Sequence, residues 1–268
     1  MTSSDLRPTS SDQTHDTESG LPTSPLANWR DLGGISVADG SVRQGLLWRS
    51  DDVSTIPEAE AQRLHAQGLR DVLDLRSPHE TQVAGRGPLR HLPVDYHHLP
   101  LSATAAAPGM TPAAVSSLTP EGVGTWYVQI AEQTAPQLIA GLRVAASSSG
   151  AALFHCAAGK DRTGVFAAAV LGALGADDDA IIADYARTDS VMPAIMARIG
   201  PMMQAVVREH DAPRLDPAAG GALFAAPAET MAVMLRVMRR EHGSIIDLLR
   251  ERGLDSATIT TLRERVVH

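Results

Sequence analysis

The chain has 268 residues, a hydrophobic content of 44% and a formal net charge of −8. An acidic chain is a poor general binder of nucleic acid, so an anionic substrate would need a locally concentrated positive site. The single cysteine, Cys156, excludes an internal disulfide framework and any metal site built from several cysteines, and it fits a reducing compartment.

The beginning of the chain is polar. Residues 1–25 are rich in Ser, Thr, Asp and Pro, which predicts a disordered tail before a single domain at residues 26–268. Residues 1–20 lack the hydrophobic segment of a signal peptide, and the longest apolar run, residues 165–174, is about half the length that spans a bilayer. We expect a soluble protein without stable membrane insertion, either cytoplasmic or secreted without a classical signal peptide.

Strand and helix patterns then alternate. In chain order they predict a strand at residues 46–49, a helix at 57–67, strands at 72–75 and 94–99, a helix at 126–146, a strand at 151–154, and helices at 164–174 and 177–186. Only helices follow, at residues 192–209, 229–242, 244–252 and 256–265. Low-complexity stretches at 103–120 and 211–227 are predicted loops. This order predicts an α/β fold with a mainly parallel central sheet flanked by helices and a helical C-terminal part.

The string HCAAGKDRTG, residues 155–164, connects the strand at 151–154 to the helix that follows. Open α/β sheets bind ligands at such strand ends, and the unpaired amides of a helix start attract anions. Ala157, Ala158 and Gly159 carry little side chain, so an oxyanion has room to approach their amides. The string therefore predicts an anion-binding loop.

The charged residues of this loop indicate its chemistry. Cys156 would be stabilised as a thiolate by the backbone amides of the loop together with Lys160 and Arg162. The hydroxyl of Thr163 can donate a hydrogen bond to the sulfur. The guanidinium of Arg162 matches two oxygens of a phosphate. These groups suit phosphoryl transfer from a monoester to sulfur, followed by hydrolysis of a thiophosphate intermediate, and the chemistry needs no metal or cofactor.

Two other functions remain open on the residues alone. A rhodanese-like sulfurtransferase also uses a loop cysteine, although its loop is usually one residue shorter. A non-catalytic module would bind phosphorylated ligands without turnover. A Walker A loop is excluded, because Asp161 follows Gly159-Lys160 where that motif requires Lys-Ser or Lys-Thr after glycine.

The Cys-x5-Arg spacing from Cys156 to Arg162 resembles the signature of the cysteine-dependent protein tyrosine phosphatase superfamily. The longer string HCAAGKDRTG resembles the atypical bacterial tyrosine phosphatases, as do NWRDLGG (28–34), VLDLRSPHE (72–80), IIADYARTD (181–189) and HGSIIDLLRERGLD (242–255). The resemblance implies a tyrosine-phosphatase-like fold. It also implies a phosphorylated protein or phosphoinositide as substrate, with phosphotyrosine foremost and phosphoserine and phosphothreonine as further targets.

The resemblance also suggests which residue protonates the leaving group. The chain has no Trp-Pro-Asp tripeptide, so the resemblance implies that Asp161 inside the loop is the acid. The alternative role for Asp161 is a loop-stabilising hydrogen-bond acceptor. Asp74, at the end of the strand at 72–75, is the reserve acid, or else a turn or cap residue.

Several residues are expected around the loop. Lys160 is expected as a second phosphate contact, and His155 as a hydrogen-bonding partner of the loop backbone. Asp31 and Glu80 are alternative ion-pair partners for Arg162, and Arg76 either lines the pocket or pairs at the surface.

The helix at 192–209 has an apolar face. Such a face usually packs into the core, but the resemblance implies a helical lid at about residues 190–226, so this helix is either core or a mobile cover. The residues of this face are Met192, Ile195, Met196, Ile199, Met202 and Met203.

Overall fold

The computed structural model describes residues 25–102, 119–209 and 224–268, without the side chains of residues 202–209. The predicted tail at 1–25 and the predicted loops at 103–120 and 211–227 therefore lie almost entirely outside the described residues. The side chains of Met202 and Met203 lie outside them as well.

A five-stranded sheet forms the centre of the described chain. Its strands are β1 (Arg30–Asp31), β4 (Leu47–Ser50), β5 (Leu69–Asp74), β6 (Asp95–His98) and β7 (Ala151–His155), in the spatial order β1-β4-β7-β5-β6. All neighbours are parallel except β1, which pairs antiparallel with β4. Two short strands, β2 (Ser36–Val37) and β3 (Gly40–Ser41), form a separate hairpin. The predicted mainly parallel sheet is confirmed, and β1, β2 and β3 are additions to the prediction.

The register of the sheet brings three strand ends together. His155, the last residue of β7, pairs with Ser50 of β4 on one side and with Asp74 of β5 on the other. Every residue of β7 is buried, as expected for a central parallel strand covered on both faces. Because parallel strands end at one edge, the residues after β4, β5 and β7 meet around Cys156.

Helices make up most of the remaining described chain. They are α1 (Glu58–Ala66), α2 (Pro78–Ala84), α3 (Pro120–Gln133), α4 (Ala135–Ser147), α5 (Asp161–Leu174), α6 (Asp178–Ala186), α7 (Met192–Glu209), α8 (Ala228–His242), α9 (Ile245–Glu251) and α10 (Ser256–Val266). Short 3-10 turns lie at Val53–Thr55, Gly87–His91 and Asp189–Val191. The described helices include none with the length and hydrophobicity that crossing a bilayer requires.

Three helix predictions need correction. The single helix expected at 126–146 is two helices that meet at Thr134, where the backbone leaves helical angles and Pro136 opens the next helix. Helix α5 begins at Asp161, three residues before the expected start, so Asp161 and Arg162 lie in its first turn. Helix α2 was not expected, although Ser77 and Glu80 form a capping box at its start.

Helices cover both faces of the sheet. Helix α5 is buried along almost its whole length between the sheet and the C-terminal helices, within the main hydrophobic cluster. A smaller cluster lies on the opposite face with Leu64 of α1, and Trp29 packs edge-on against Trp48 at its rim, with ring centroids 5.6 Å apart. This cluster includes residues of both β4 and β7 and so fixes the two strands on the face opposite α5.

Candidate active site

The loop that carries Cys156, residues 156–162 and here called the cysteine loop, turns its carbonyl groups toward the surrounding protein. The amide of Asp52 donates to the Ala157 carbonyl (3.0 Å), and the Asn28 side chain donates to the carbonyls of Ala158 (3.1 Å) and Gly159 (3.0 Å). Since the C=O and N–H of a trans peptide point in opposite directions, the amides between them face the inside of the loop. Such a set of convergent N–H donors suits an oxyanion.

A buried ion cluster supports this loop. Arg49 is fully buried on β4 and donates to the Gly159 carbonyl (2.8 Å) and to Asp184 of α6 (2.5 Å), which also accepts from Arg30 of β1 (2.8 Å). Burial and the nearby charge of Arg49 lower the pKa of Arg30 to about 10. Burial would raise the pKa of Asp184, but the two arginines hold it below its usual value, so Asp184 remains ionised between them.

Gly159 occupies a position that other residues would fill poorly. Its φ is 67°, in the left-handed region, and a Cβ there would lie 2.5 Å from the carbonyl oxygen of Ser50 and 2.7 Å from the amide nitrogen of Asp51. The loop therefore packs against the end of β4 at backbone distance, which only glycine permits.

Cys156 and its neighbours are buried at the base of the loop. The thiol of Cys156 is free and the residue is 1% exposed. Nδ1 of His155 lies 3.2 Å from the Cys156 carbonyl oxygen, the backbone contact expected of it, and burial lowers the pKa of His155. The expected hydrogen bond from Thr163 to the sulfur is not formed, because within the described residues its buried hydroxyl has no hydrogen-bond partner.

Arg162 is held by Glu80 rather than by Asp31. Its two terminal nitrogens donate to the two carboxylate oxygens of Glu80, at 2.5 and 2.8 Å. Burial alone would lower the pKa of Arg162. The charges of Glu80, Cys156 and Asp161 outweigh burial and raise this pKa above its usual value. Asp31 instead accepts from the amides of Gly33 and Gly45 and stabilises a turn. Among the described residues the other three of its five guanidinium N–H groups have no partner.

Asp161 lies between Lys160 and Tyr127. Oδ1 of Asp161 accepts from the hydroxyl of Tyr127 (2.7 Å) and lies 3.1 Å from the ammonium of Lys160. Lys160 is almost completely buried and also donates to the carbonyl of Ala225 (3.0 Å). The structure thus brings the expected acid and the expected second cation to the same edge of the loop.

Asp74 has the turn role expected as the alternative to the acid, because its Oδ1 accepts from the amide of Arg76, two residues further on (3.0 Å), whereas Arg76 lies where neither of its predictions placed it. Asp74 is fully buried and both its oxygens are occupied. Oδ1 accepts from Nε of Arg76 (2.9 Å), and Oδ2 accepts from a terminal nitrogen of Arg76 (2.5 Å) and from the hydroxyl of Tyr96 (2.7 Å). Burial would raise the pKa of Asp74, but His155 and Arg76 hold it well below its usual value, so it has no proton to give near neutrality. Arg76 is fully buried and also pairs with Asp52 (3.0 Å), so it lies neither in the pocket nor at the surface.

Helix α7 packs beside the cysteine loop, outside the main core. Its buried face forms a separate small cluster that includes Ala158 of the loop and Ala27, and the residues it contributes are Met192, Ile195 and Ile199, with Met196 half-buried. Arg198 of α7 donates to Asp51 (2.5 Å) and to the carbonyl of Asp52 (2.9 Å). The helix therefore packs against the cysteine loop and is tied to the end of β4.

Several residues that hold the site were not assigned to it from the sequence. Asn28 and Arg30 were noted only within the NWRDLGG string, and Arg49, Tyr127 and Asp184 had no assigned role. They reach the loop from positions far away in the chain, for example 110 residues for Arg49 and Gly159. A charged residue inside an otherwise buried strand, such as Arg49 in LWRS, was the available signal.

Comparisons with known proteins agree on one family. Residues 21–268 match the model described as "Tyrosine phosphatase family". The "Triple specificity protein phosphatase PtpB" of Mycobacterium tuberculosis is 30% identical over 267 residues, which cover 88% of this chain and 95% of that protein. A "Putative tyrosine-protein phosphatase" of Cupriavidus necator is 36% identical over 167 residues (60% and 59%), and a "Tyrosine-protein phosphatase" of Nostoc commune is 32% identical over 139 residues (52% and 46%).

Proposed function

The chain belongs to the tyrosine phosphatase family, and from that premise we propose that it hydrolyses phosphate monoesters through a covalent thiophosphate on Cys156. The observation that carries the proposal is the cysteine loop itself. Its carbonyls are bonded outward by Asn28, Arg49 and Asp52, so its amides converge where the phosphate oxygens would lie.

In the first step the Cys156 sulfur attacks phosphorus and the bond from phosphorus to the ester oxygen breaks. The loop amides and the three free N–H groups of Arg162 take up the charge of the phosphoryl oxygens, and Glu80 fixes the plane of the guanidinium. Asp161 gives its proton to the departing oxygen. The products of this step are the free alcohol or phenol and the cysteinyl phosphate.

In the second step water attacks phosphorus and the bond from phosphorus to sulfur breaks. Asp161, now a carboxylate, takes the proton from the attacking water. Inorganic phosphate leaves, and the Cys156 thiolate and the protonated Asp161 are restored. Neither step involves oxidation or reduction, and water is the only reactant consumed besides the ester.

Phosphotyrosine is the proposed substrate, and phosphoserine, phosphothreonine and phosphoinositides are proposed as further classes. The support is the family and the printed "triple specificity" of the mycobacterial relative. Lys160 is proposed as the contact for a second phosphate group when a substrate carries one, which would require its buried ammonium to be uncovered and to leave the carbonyl of Ala225. Helix α7 is proposed to act as a cover that opens for substrates, since it packs against the loop through a small cluster of its own; most of the remainder of the expected lid, up to residue 226, lies outside the described residues.

The test is replacement of the nucleophile. Cys156→Ser should abolish release of phosphate from aryl phosphates, phosphopeptides and phosphoinositides, because a serine hydroxyl is a far weaker nucleophile than a thiolate. Binding of vanadate should survive in Cys156→Ser, since the amides and Arg162 remain. Acid-quenched wild-type enzyme should carry a phosphoryl adduct on Cys156 in mass spectra.

Undiminished turnover by Cys156→Ser would refute the mechanism. Formation of thiocyanate from thiosulfate and cyanide by the wild-type protein would favour the sulfurtransferase alternative. Binding of phosphopeptide without release of phosphate would favour the binding module.

A further inference from the structure

Tyr127 reaches the site from α3. Its side chain is fully buried, and its hydroxyl lies 2.7 Å from Oδ1 of Asp161. The Lys160 ammonium lies 3.1 Å from the same oxygen. Within the described residues, Oδ2 of Asp161 has no hydrogen-bond partner, and the side chain of Asp161 is 18% exposed. The two oxygens of this carboxyl group are therefore in different environments.

The direction of the hydrogen bonds follows from a proton count. The hydroxyl of Tyr127 also lies 2.9 Å from the hydroxyl of Tyr185, which projects from α6. Burial and the charge of Asp161 raise the pKa of both phenols well above the usual value, so each keeps its one proton. Tyr127 gives its proton to the hydrogen bond with Asp161, and Tyr185 must then donate to the oxygen of Tyr127.

We propose that Tyr127 is a positioning residue that fixes Oδ1 of Asp161, so that Oδ2 is the oxygen that carries and delivers the proton. This inference rests on the proposed role of Asp161 as the acid. When the ester bond breaks, the proton passes from Oδ2 to the departing oxygen. The carboxylate left behind is stabilised at Oδ1 by two donors already in place, Tyr127 and Lys160.

The inference predicts a substrate-dependent defect in Tyr127→Phe. This change removes one hydroxyl and keeps the ring that packs against Tyr185. We expect kcat/KM for phenyl phosphate, whose leaving group needs a proton, to fall about tenfold, since one acid contributes about 10² to 10⁴ in rate. With p-nitrophenyl phosphate, whose leaving group departs as an anion, the fall should stay below about threefold. Affinity for vanadate should not change, because Tyr127 does not touch the loop amides.

Asp161→Asn is the reference for this experiment. Asp161→Asn should lower kcat/KM with the same dependence on the leaving group as Tyr127→Phe, and by a larger factor. The double variant with Tyr127→Phe should show no further loss of kcat/KM for phenyl phosphate, because the two residues act through one proton. Tyr185→Phe, which removes the donor to Tyr127, should show a smaller defect in the same direction.

The outcomes separate the two claims. If Asp161→Asn affects both substrates equally, Asp161 is not the acid, and this inference is lost together with that role. If Asp161→Asn discriminates between the substrates but Tyr127→Phe does not, the role of Asp161 stands and Tyr127 has only a structural role. An equal loss on both substrates in Tyr127→Phe would likewise overturn the inference.

Discussion

At the scale of single residues, Gly159 shows how closely the cysteine loop is fitted to the sheet. Gly159→Ala would combine a left-handed φ of 67° with a contact of 2.5 Å to the carbonyl oxygen of Ser50. Ser50 cannot shift easily because it belongs to the buried strand β4, so the strain falls on the loop, where Arg49 and Asn28 hold the Gly159 carbonyl. The loop itself must deform instead.

We therefore expect Gly159→Ala to lower kcat/KM by at least about 10²-fold, because misplaced amides lose contact with the phosphoryl oxygens. Vanadate binding should weaken in parallel. Gly45→Ala is the matched control, since Gly45 has a φ of 80° and no atom within 4 Å of the added Cβ. Wild-type activity in Gly159→Ala would show that the loop is more adaptable than its contacts indicate.

Some residues of the site could be predicted from the sequence and others could not. Cys156, Arg162 and the small residues between them are contiguous, so their shared chemistry was visible in one string. The sequence could not show whether Asp31 or Glu80 pairs with Arg162, because the pairing depends on how α2 is placed against α5. Asp74 is a second example. Its position at a strand end could be predicted from the sequence, but its ion pair with Arg76 could not.

At the scale of elements, α7 and its anchor decide how the site is covered. The charge of Arg198 on α7 meets Asp51 at the end of β4, and Asp51 also accepts from the amide of Asn28, whose side chain bonds the loop. Helix α7 is thus linked to the cysteine loop indirectly, through the Asp51 carboxylate and then Asn28. Whether α7 is fixed core or a moving cover depends on how strongly this link holds.

Arg198→Ala should loosen α7 if the helix is a cover. We expect hydrogen exchange of its amides to become about tenfold faster, since the apolar contacts of its described side chains form only a small cluster. Exchange in α5 should not change. Arg236→Ala, which removes an exposed ion pair with Glu121, is the control and should leave α7 unaffected. Slow exchange of α7 in both variants would place the helix in the fixed core.

Element boundaries were predicted less well than element types. The break at Thr134 was hidden because apolar periodicity continues from α3 into α4. The early start of α5 was hidden because the loop's charged residues interrupt the apolar pattern, although Asp161 is a favourable residue for a first turn. The periodic pattern of the long helices, by contrast, was sufficient to place α8 and α10 within one residue at either end.

At the scale of the whole molecule, buried carboxylates make stability depend on pH. Burial would raise the pKa of Glu80, but the charge of Arg162 and hydrogen bonds from Ser77 and Arg162 lower it from 4.5 to about 2. The pKa values of Asp74 and Asp184 are likewise lowered by neighbouring cations. A carboxylate with a lowered pKa stabilises the fold above its unfolded pKa, and this contribution is lost as the pH falls through the folded pKa.

We expect the free energy of unfolding to drop steeply as the pH falls below about 4.5. Glu80→Gln should be less stable than the wild type at neutral pH by on the order of 1–3 kcal/mol, and the difference should shrink as the pH falls from 4.5 to about 2. Denaturant titrations over this range are the measurement. Glu121→Gln, in an exposed pair, should show almost no difference at any pH. A difference for Glu80→Gln that is independent of pH would contradict the assignment.

The sharing of Asp184 by Arg30 and Arg49 has a consequence for how this sequence can drift. Loss of the carboxylate alone would leave two guanidinium groups facing each other in the interior, and loss of either arginine would leave one buried oxygen of Asp184 without its charged donor. Neutral drift at these three positions must therefore be concerted. Divergent descendants should either keep all three residues or exchange them as a set, and mutagenesis libraries that vary one of them at a time would sample mostly defective proteins.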